Sequence, residues 1–192
     1  MLQLNFSPFP VLTTERLVLR QLTAEDEKEI FALRTDDAVN KYLDRLKARS
    51  VEEARKFIQK INKNISNNVA VFWGIAYKDE DVLIGTACYW NIIKENDRAE
   101  IGYELLPEHQ GKGIMQEAIA AIIDYGFDTM KLHVIEAVAQ KDNQRSLHLL
   151  QKFNFTRDTE QEKKMEGMEE YKDANIYSLR SIDRYIKPST DN

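Results

Sequence analysis

The chain has 192 residues, 43% hydrophobic and 31% charged, which is enough for one globular domain and short for two. Its 27 Lys and Arg residues against 32 Asp and Glu residues give a formal net charge of -5, which excludes the basic excess of a general nucleic-acid-binding protein. The longest apolar run, 69–77, is about nine residues, far below the roughly 20 needed to cross a bilayer.

The N-terminus lacks a basic segment, and Pro8 and Pro10 interrupt its only apolar stretch, so we expect no secretory signal. A single cysteine, Cys88, cannot form an internal disulfide, which fits a reducing compartment. We therefore expect a soluble cytoplasmic protein.

The first half of the chain begins with an alternating segment, 15–22, that predicts a half-buried strand. Thr23 is placed to cap a first helix that ends at about Arg34. The capping box that starts at Ser50 begins a second helix, whose apolar residues share one stripe. The region 69–93 is rich in Val, Ile, Tyr and Trp and predicts a hairpin of two strands with a charged turn.

The second half of the chain predicts, in order, a strand over 98–106, a helix over 111–127, a strand over 132–139, a helix over 143–153, a charged turn over 160–170 and a strand over 175–179. Hairpin strands followed by strands that alternate with helices favour a mixed α/β sheet covered by helices.

The segment 105–115 joins a predicted strand to a predicted helix and contains Gly111, Lys112 and Gly113. The first N–H groups of a helix have no internal partner and lie at the positive end of its dipole, so they favour a phosphate. The glycines let a pyrophosphate approach the backbone closely, and Lys112 adds a positive charge. The same sequence is typical of a tight turn that only leads into a helix, and spacing alone leaves both interpretations open. A Walker loop is absent, and Gln116 replaces the third glycine of a dinucleotide fingerprint.

Several short motifs occur in the order seen in one known family. They are Thr14–Arg20, Glu100–Tyr103, Gln110–Met115, Asn143–Ser146, Leu150–Phe155, Tyr171–Asp173 and Tyr177–Leu179. The third resembles the Gln/Arg-x-x-Gly-x-Gly/Ala motif with which Gcn5-related N-acetyltransferases (GNAT) bind the pyrophosphate of acetyl-CoA. Together they are similar to the Rim-type branch, which contains the ribosomal-protein N-terminal acetyltransferases and relatives with other acceptors.

This resemblance covers about residues 13–182 and implies one N-acetyltransferase domain over 1–192. The expected α/β (α+β) GNAT fold has a central mixed, mostly antiparallel sheet of about six to seven strands, flanked by about four helices. Two positions depart from the motifs. Met115 replaces a small residue and would either crowd the phosphates or point into the core, whereas Asn154 replaces a glycine and tolerates the same left-handed conformation.

The resemblance also implies a site for the cosubstrate acetyl-CoA. The strand before the loop would separate from its neighbour and take the pantetheine arm in the gap, the loop amides would bind the pyrophosphate, and Asn143 would bond the pantetheine or acetyl end. The residues so assigned are Leu105, Leu106, Gln110, Gly111, Lys112, Gly113, Ile114, Met115 and Asn143.

For catalysis, the resemblance matches Ser146 to the position that protonates the leaving thiolate, although the residue alone is better explained as an ordinary first-turn helix serine. The general base would be one of three strand carboxylates, with Glu100 favoured, Glu136 next and Glu104 also open. Each is equally explained by a solvated strand face or a structural ion pair.

Other residues are less suited to chemistry. His109, His133 and His148 lack metal-ligand spacing, so no metal site is expected. Trp73, Tyr89 and Trp90 are better explained as sheet core or edge than as an acceptor cage.

In relatives, the acceptor pocket is lined by the loop between the first two helices and by late strands. Here these segments are the basic Lys41–Arg49 and the mostly acidic 160–170. The net charge mildly favours cationic acceptors.

The resemblance therefore implies an N-acetyltransferase that transfers acetyl from acetyl-CoA to a primary amine by direct attack. The first expectation for the acceptor is the α-amine of a protein or peptide. The alternatives are a small-molecule amine, such as an aminoglycoside, polyamine or metabolite, and a catalytically silent CoA-binding sensor or scaffold. No direct nucleic-acid or membrane partner is expected. Homodimers are common among relatives, but the sequence identifies no interface.

Overall fold

The computed structural model describes residues 2–165, 167–168 and 171–184. Its strands are β1 (Leu12–Thr13), β2 (Leu17–Arg20), β3 (Val71–Tyr77), β4 (Glu80–Ile93), β5 (Arg98–Leu105), β6 (Val134–Gln140), β7 (Thr156–Arg157) and β8 (Ala174–Arg180). The α-helices are α1 (Glu27–Thr35), α2 (Asp37–Asn40), α3 (Val51–Ser66), α4 (Ile114–Asp124), α5 (Gln144–Lys152) and α6 (Thr159–Lys164).

The eight strands form one sheet in the order β1-β2-β3-β4-β5-β6-β8-β7. Every neighbouring pair is antiparallel except β5 and β6, which are parallel. A parallel pair needs a long crossover connection, and α4 lies within this one. The predicted mixed, mostly antiparallel α/β fold is confirmed.

The described chain has more elements than the sequence predicted because several are short. The two-residue strands β1 and β7 raise the strand number to eight. The short helices α2 and α6 were not predicted, and α6 replaces the first part of the charged turn expected over 160–170. Asp158 caps α6 by accepting a hydrogen bond from Gln161 N–H at 3.0 Å. Residues 166 and 169–170 of that predicted turn lie outside the described residues.

Helices cover both faces of the sheet. Phe72 of β3 packs edge-on against Phe57 of α3, with ring centroids 5.7 Å apart. The next residue, Trp73, points to the opposite face and packs against Tyr125, just after α4, at 5.4 Å. Trp73 and Tyr89 are fully buried, as predicted, whereas Trp90 is 47% exposed on a central strand.

Several local predictions are confirmed by the backbone. Ser50 caps α3 by accepting a hydrogen bond from Glu53 N–H. Asn154, after α5, adopts the left-handed conformation with φ of 61°. The helix expected from residue 111 begins only at Ile114, because Gly111 and Gly113 have φ of 75° and 74° and belong to the preceding loop. Within the described ranges, no helix combines the length and apolar character that a bilayer crossing requires.

Candidate active site

The site is built on the separation of β5 from β6. The two strands pair only at Arg98 with Val134, Ala99 with Ile135 and Glu100 with Glu136. Beyond Glu100, β5 remains paired with β4, and β6 remains paired with β8. The strands therefore diverge, and we call the gap between 101–105 and 137–140 the wedge. Inner strand edges of this kind present backbone groups that an extended ligand can pair with.

Leu105 and Leu106 lie at the mouth of the wedge, where pantetheine contacts were predicted. The Leu106 N–H donates to the Ile84 carbonyl at 3.0 Å, and its own carbonyl accepts from His109 N–H at 3.0 Å. The Leu105 carbonyl accepts from the Gln110 side chain at 2.8 Å. These bonds fix the strand end, and each carbonyl keeps a second lone pair with which it can accept another bond.

The loop after β5 presents backbone N–H groups at the start of α4. Gly111, Lys112 and Gly113 are exposed, and a Cβ placed on Gly111 would have no atom within 4 Å. Gly113 is the N-cap of the eleven-residue α4 and has no side chain with which to cap it. An open glycine loop at a helix N-terminus fits a pyrophosphate. Met115 packs against the main core, so of its two predicted placements the inward one is observed.

Arg16 and Thr14 brace this loop from the start of β2. Arg16 Nη1 donates to the Lys112 carbonyl at 3.0 Å, and its Nε donates to Glu117 of α4 at 2.6 Å. Glu117 also accepts from the Thr14 hydroxyl at 2.5 Å and from Arg16 N–H at 2.7 Å. Partial burial raises the pKa of Glu117, but these donors outweigh it and hold the pKa below its ordinary value. Their sequence signal was the Thr14–Arg20 motif, which assigned them no role.

Gln110 connects the loop to α5. Its side-chain Nε2 bonds the end of β5, and its Oε1 accepts a hydrogen bond from Arg145 Nη1. Both ends of the Gln110 amide are thus engaged within the protein. Gln110, predicted to bind the cofactor, therefore links the end of β5 to the first turn of α5.

The first turn of α5 places Asn143 and Ser146 beside the wedge. Asn143 Oδ1 accepts from Ser146 N–H at 3.2 Å and so caps the helix, and the amino group is the part of this side chain that could donate to a ligand. Ser146 Oγ lies 2.8 Å from the hydroxyl of Tyr103, a β5 residue in the wedge. Burial raises the pKa of Tyr103 to about 12, with a smaller opposing effect from the bond to Ser146. Nothing in the sequence predicted this contact.

The three candidate carboxylates share the other face of the sheet, which we call the carboxylate face. Strand alternation places Glu100 and Glu104 on the side opposite Tyr103, and Glu136 pairs with Glu100 in register. Glu104 accepts from the Thr86 hydroxyl at 3.1 Å and forms an ion pair with Arg45 at 2.6 Å. Glu100 is 9% exposed.

Glu136 lies under α6 in a charged environment. It forms an ion pair with Arg98 at 3.1 Å and a hydrogen bond with the buried Gln161. Burial raises the pKa of Glu136 above its ordinary value, Asp158 adds to the rise, and Arg98 and Gln161 only partly offset it. Because Arg45 comes from Lys41–Arg49 and Gln161 from the 160–170 segment, both predicted acceptor segments contact the carboxylate face.

The histidines do not form a metal centre. His109 lies 3.3 Å from the Tyr77 hydroxyl, His133 pairs with Asp97 at 3.0 Å, and His148 is exposed. Among the residues that the structure describes, no group of three or more His, Cys, Asp or Glu side chains could hold a metal ion.

Comparison with known proteins shows the family to which the chain belongs. Residues 16–156 match the acetyltransferase (GNAT) domain family. The chain is 36% identical over 171 residues to the uncharacterised N-acetyltransferase YoaA of Bacillus subtilis (strain 168), covering 89% of this chain and 97% of that protein. It is 33% identical over 99 residues to the ribosomal protein uS5-alanine N-acetyltransferase of Escherichia coli (strain K12), covering 51% of each.

A crystal structure of a GNAT-family acetyltransferase from Bacillus anthracis is similar with a TM-score of 0.71 at 26% identity, covering 89% of this chain and 98% of that one. A family match over most of the chain, together with a relative that is similar along nearly its whole length, establishes that this chain belongs to the GNAT family of acetyl-CoA-dependent N-acetyltransferases.

Proposed function

We propose that this N-acetyltransferase acts on the α-amine of a protein or peptide, with Ser146 as general acid and Glu100 as general base. The observation that carries the proposal is the placement of these two side chains on opposite faces of the sheet where β5 and β6 part. An acyl group held in the wedge between them would have an acid on one side and a base on the other.

The cosubstrate would be held by the residues at the mouth of the wedge. The backbone N–H groups from Gly111 to Met115 would bind the pyrophosphate, Lys112 would add a charge, and the Asn143 amino group would donate to the pantetheine or acetyl end. Leu105 and Leu106 would line the arm. Acetyl-CoA supplies an acetyl thioester, and a β5 backbone amide in the wedge would stabilise the developing oxyanion.

The proton transfers follow from these positions. Glu100, directly or through water, accepts a proton from the attacking amine, and Ser146 donates its hydroxyl proton to the departing sulfur. An α-amine, with a pKa of about 7.7 to 8.0, is roughly one-tenth neutral at pH 7, whereas a lysine at about 10.4 is neutral less than about once in a thousand. An α-amine therefore needs less help from the base than a lysine does, although the proton that it loses during attack still has to be accepted.

The charges on the carboxylate face also favour an acceptor with a single ammonium group. Glu104 and Glu136 are each paired with an arginine, which cancels much of the negative charge that a polyamine would need. In addition, the similarity to the uS5-alanine N-acetyltransferase extends over 51% of this chain. A protein or peptide N-terminus is therefore preferred to the small-molecule alternatives.

The test combines binding with acceptor-dependent thiol release. Calorimetry should give micromolar affinity for acetyl-CoA, and CoA release should then be measured with Ala- and Ser-starting peptides, spermidine and an aminoglycoside. A peptide with a blocked N-terminus and an internal lysine is the matched control for the α-amine. Release only with free N-termini supports the proposal, whereas release only with spermidine or the aminoglycoside contradicts it.

The acid role has its own test. Ser146→Ala should lower kcat by about 10²-fold while the Kd for acetyl-CoA stays nearly unchanged. An unchanged kcat would remove Ser146 from the mechanism without affecting the acceptor assignment.

A further inference from the structure

Tyr103 contacts the proposed acid and has no role in the mechanism described so far. It lies on β5 three residues beyond Glu100, where the last pair with β6 is formed, so its side chain stands at the wedge. The ring packs against the main core, and the hydroxyl reaches Ser146 Oγ at 2.8 Å. A tyrosine that packs against the core and hydrogen-bonds a candidate catalytic hydroxyl limits the directions in which that hydroxyl can donate its own proton.

A serine hydroxyl has one proton, and this proton cannot serve two acceptors at once. If Ser146 donated to Tyr103, its proton would point at β5 and would not be available to a departing sulfur. If Tyr103 donates, the serine oxygen accepts and the serine proton is directed elsewhere. Phenols are the more acidic hydroxyls, and the phenol of Tyr103 stays protonated at neutral pH, so Tyr103 is the natural donor.

The backbone of Ser146 is fixed as well. Asn143 Oδ1 accepts from Ser146 N–H at 3.2 Å, which holds the first turn of α5 in place. Arg145, between them, is tied to Gln110 at the loop. With its main chain capped and its oxygen engaged by the phenol, Ser146 has few remaining orientations for its proton.

We propose that Tyr103 is the positioning residue for Ser146: its phenol donates to Ser146 Oγ and thereby directs the serine proton into the wedge. The inference rests on the proposed function, in which Ser146 is the acid. In the transfer step, a bond forms between the amine nitrogen and the acyl carbon, and the carbon–sulfur bond breaks with its electron pair going to sulfur. Sulfur takes the proton of Ser146, Glu100 takes the amine proton, and solvent returns a proton from Glu100 to Ser146.

The test is a double-mutant cycle with Tyr103→Phe and Ser146→Ala. Tyr103→Phe removes one oxygen and should lower kcat about tenfold, with the KM for acetyl-CoA within about twofold of wild type. In the Ser146→Ala background, the same substitution should have no further effect on kcat, because the hydroxyl that it positions is gone.

The matched control is Tyr89→Phe, which also removes a buried phenol oxygen, here one that donates to the Ile122 carbonyl at 3.0 Å in the core. It should lower the melting temperature and leave kcat unchanged. Melting temperature and acetyl-CoA affinity of every variant separate loss of folding from loss of positioning.

The outcomes distinguish the two proposals. If Ser146→Ala lowers kcat but Tyr103→Phe does not, the acid remains and the positioning role is overturned. If Tyr103→Phe lowers kcat equally in both backgrounds, Tyr103 acts independently of Ser146 and the inference is also overturned. If Ser146→Ala has no effect, the proposed acid fails and the positioning role fails with it.

Discussion

Glu100 and Glu136 face each other in the last residue pair that joins β5 to β6, directly before the wedge opens. Two carboxylates on one sheet face repel each other unless counter-charges intervene, and Arg98 supplies one to Glu136 at 3.1 Å. Glu136 is also covered by Gln161 of α6. Because Arg98 and Gln161 both contact Glu136, we expect its carboxylate to be held in these contacts, and Glu100 remains the proposed base.

Substitution with glutamine separates these roles. Glu100→Gln should lower kcat by about 10²-fold with little change in the Kd for acetyl-CoA, because glutamine keeps the size of the side chain but cannot take up the amine proton. Glu136→Gln removes a charge that the fold disfavours, since burial raises the pKa of Glu136, so the free energy of unfolding at pH 7 should not fall and kcat should stay within about threefold of wild type. Steady-state kinetics and urea unfolding measure the two effects. If Glu136→Gln lowers kcat and Glu100→Gln does not, Glu136 is the base.

The brace around Glu117 should act on cosubstrate affinity. Arg16→Ala removes the contacts to the Lys112 carbonyl and to Glu117 and should raise the Kd for acetyl-CoA about tenfold, with kcat unchanged, because the loop loses its fixed orientation. Arg55→Ala is the matched control, since Arg55 is similarly exposed and pairs with two carboxylates of α1 and α3. If calorimetry gives Arg16→Ala and Arg55→Ala the same Kd for acetyl-CoA, the contacts of Arg16 do not contribute to cosubstrate affinity.

The same carboxylate predicts a pH dependence. The pKa of Glu117 is lowered in the folded chain, so its ionised form stabilises the fold above the ordinary carboxylate pKa of about 4.3, and this contribution is lost as the pH falls through the folded pKa. The difference in free energy of unfolding between wild type and Glu117→Gln should therefore be larger at pH 7 than below pH 4. A difference that does not change with pH would show that Glu117 acts through shape alone.

Local sequence signals predicted the elements that carry the site but not the contacts between them. Ser50, Asn154 and the glycines of the loop act through their own backbone or cap, so adjacent residues suffice to predict them. The bond between Tyr103 and Ser146 joins residues 43 apart, and that between Thr14 and Glu117 joins residues 103 apart. Such contacts depend on the order of the strands in the sheet and on the divergence of β5 from β6. Neither can be predicted from the hydrophobic periodicity of the sequence.

The α6 helix is an element that the sequence pattern did not predict. Its residues are strongly charged and lack an apolar stripe, so the pattern predicted a turn. In the structure, Asp158 caps the segment, and a contact between Glu160 and Lys163 at 2.8 Å supports one helical turn. The buried member is Gln161, which reaches Glu136. A polar side chain buried for its hydrogen bond gives no hydrophobic signal, and this is why the helix was missed.

The two glycines of the loop should differ in their tolerance of substitution. Gly113→Pro should abolish acetyl-CoA binding, because proline fixes φ near about -65° and has no N–H, whereas Gly113 has φ of 74°. A Cβ at Gly111 meets no neighbouring atom, so Gly111→Ala costs only backbone strain, about 1–2 kcal/mol. Gly111→Asn should bind acetyl-CoA more tightly than Gly111→Ala, because asparagine tolerates positive φ. Calorimetry of each variant with acetyl-CoA measures the order of their affinities. Wild-type affinity in Gly113→Pro would place the pyrophosphate elsewhere.

The lone thiol should be inert in the folded protein. Cys88 lies under Gly102 on the carboxylate face, where a Cβ on the glycine would be 3.2 Å from the sulfur. Burial, with smaller contributions from Glu104 and Glu100, raises the pKa of Cys88 to about 12. At pH 8, native Cys88 should therefore react with a disulfide reagent only as fast as the protein opens, so CoA release can be followed with that reagent against a low background. Rapid labelling of native protein would contradict this.

The raised pKa of Cys88 also fixes the direction of the alkaline stability change. The unfolded thiol loses its proton at about pH 8.5, while the native thiol keeps it until about pH 12. The folded chain then binds more protons, so the free energy of unfolding falls as the pH rises from about 8.5. Cys88→Ala removes this contribution and should show a shallower decline between pH 8 and pH 10 in urea unfolding, because the buried tyrosines are common to both proteins. An equal or steeper decline in the variant would mean that the native thiol ionises near its ordinary pKa.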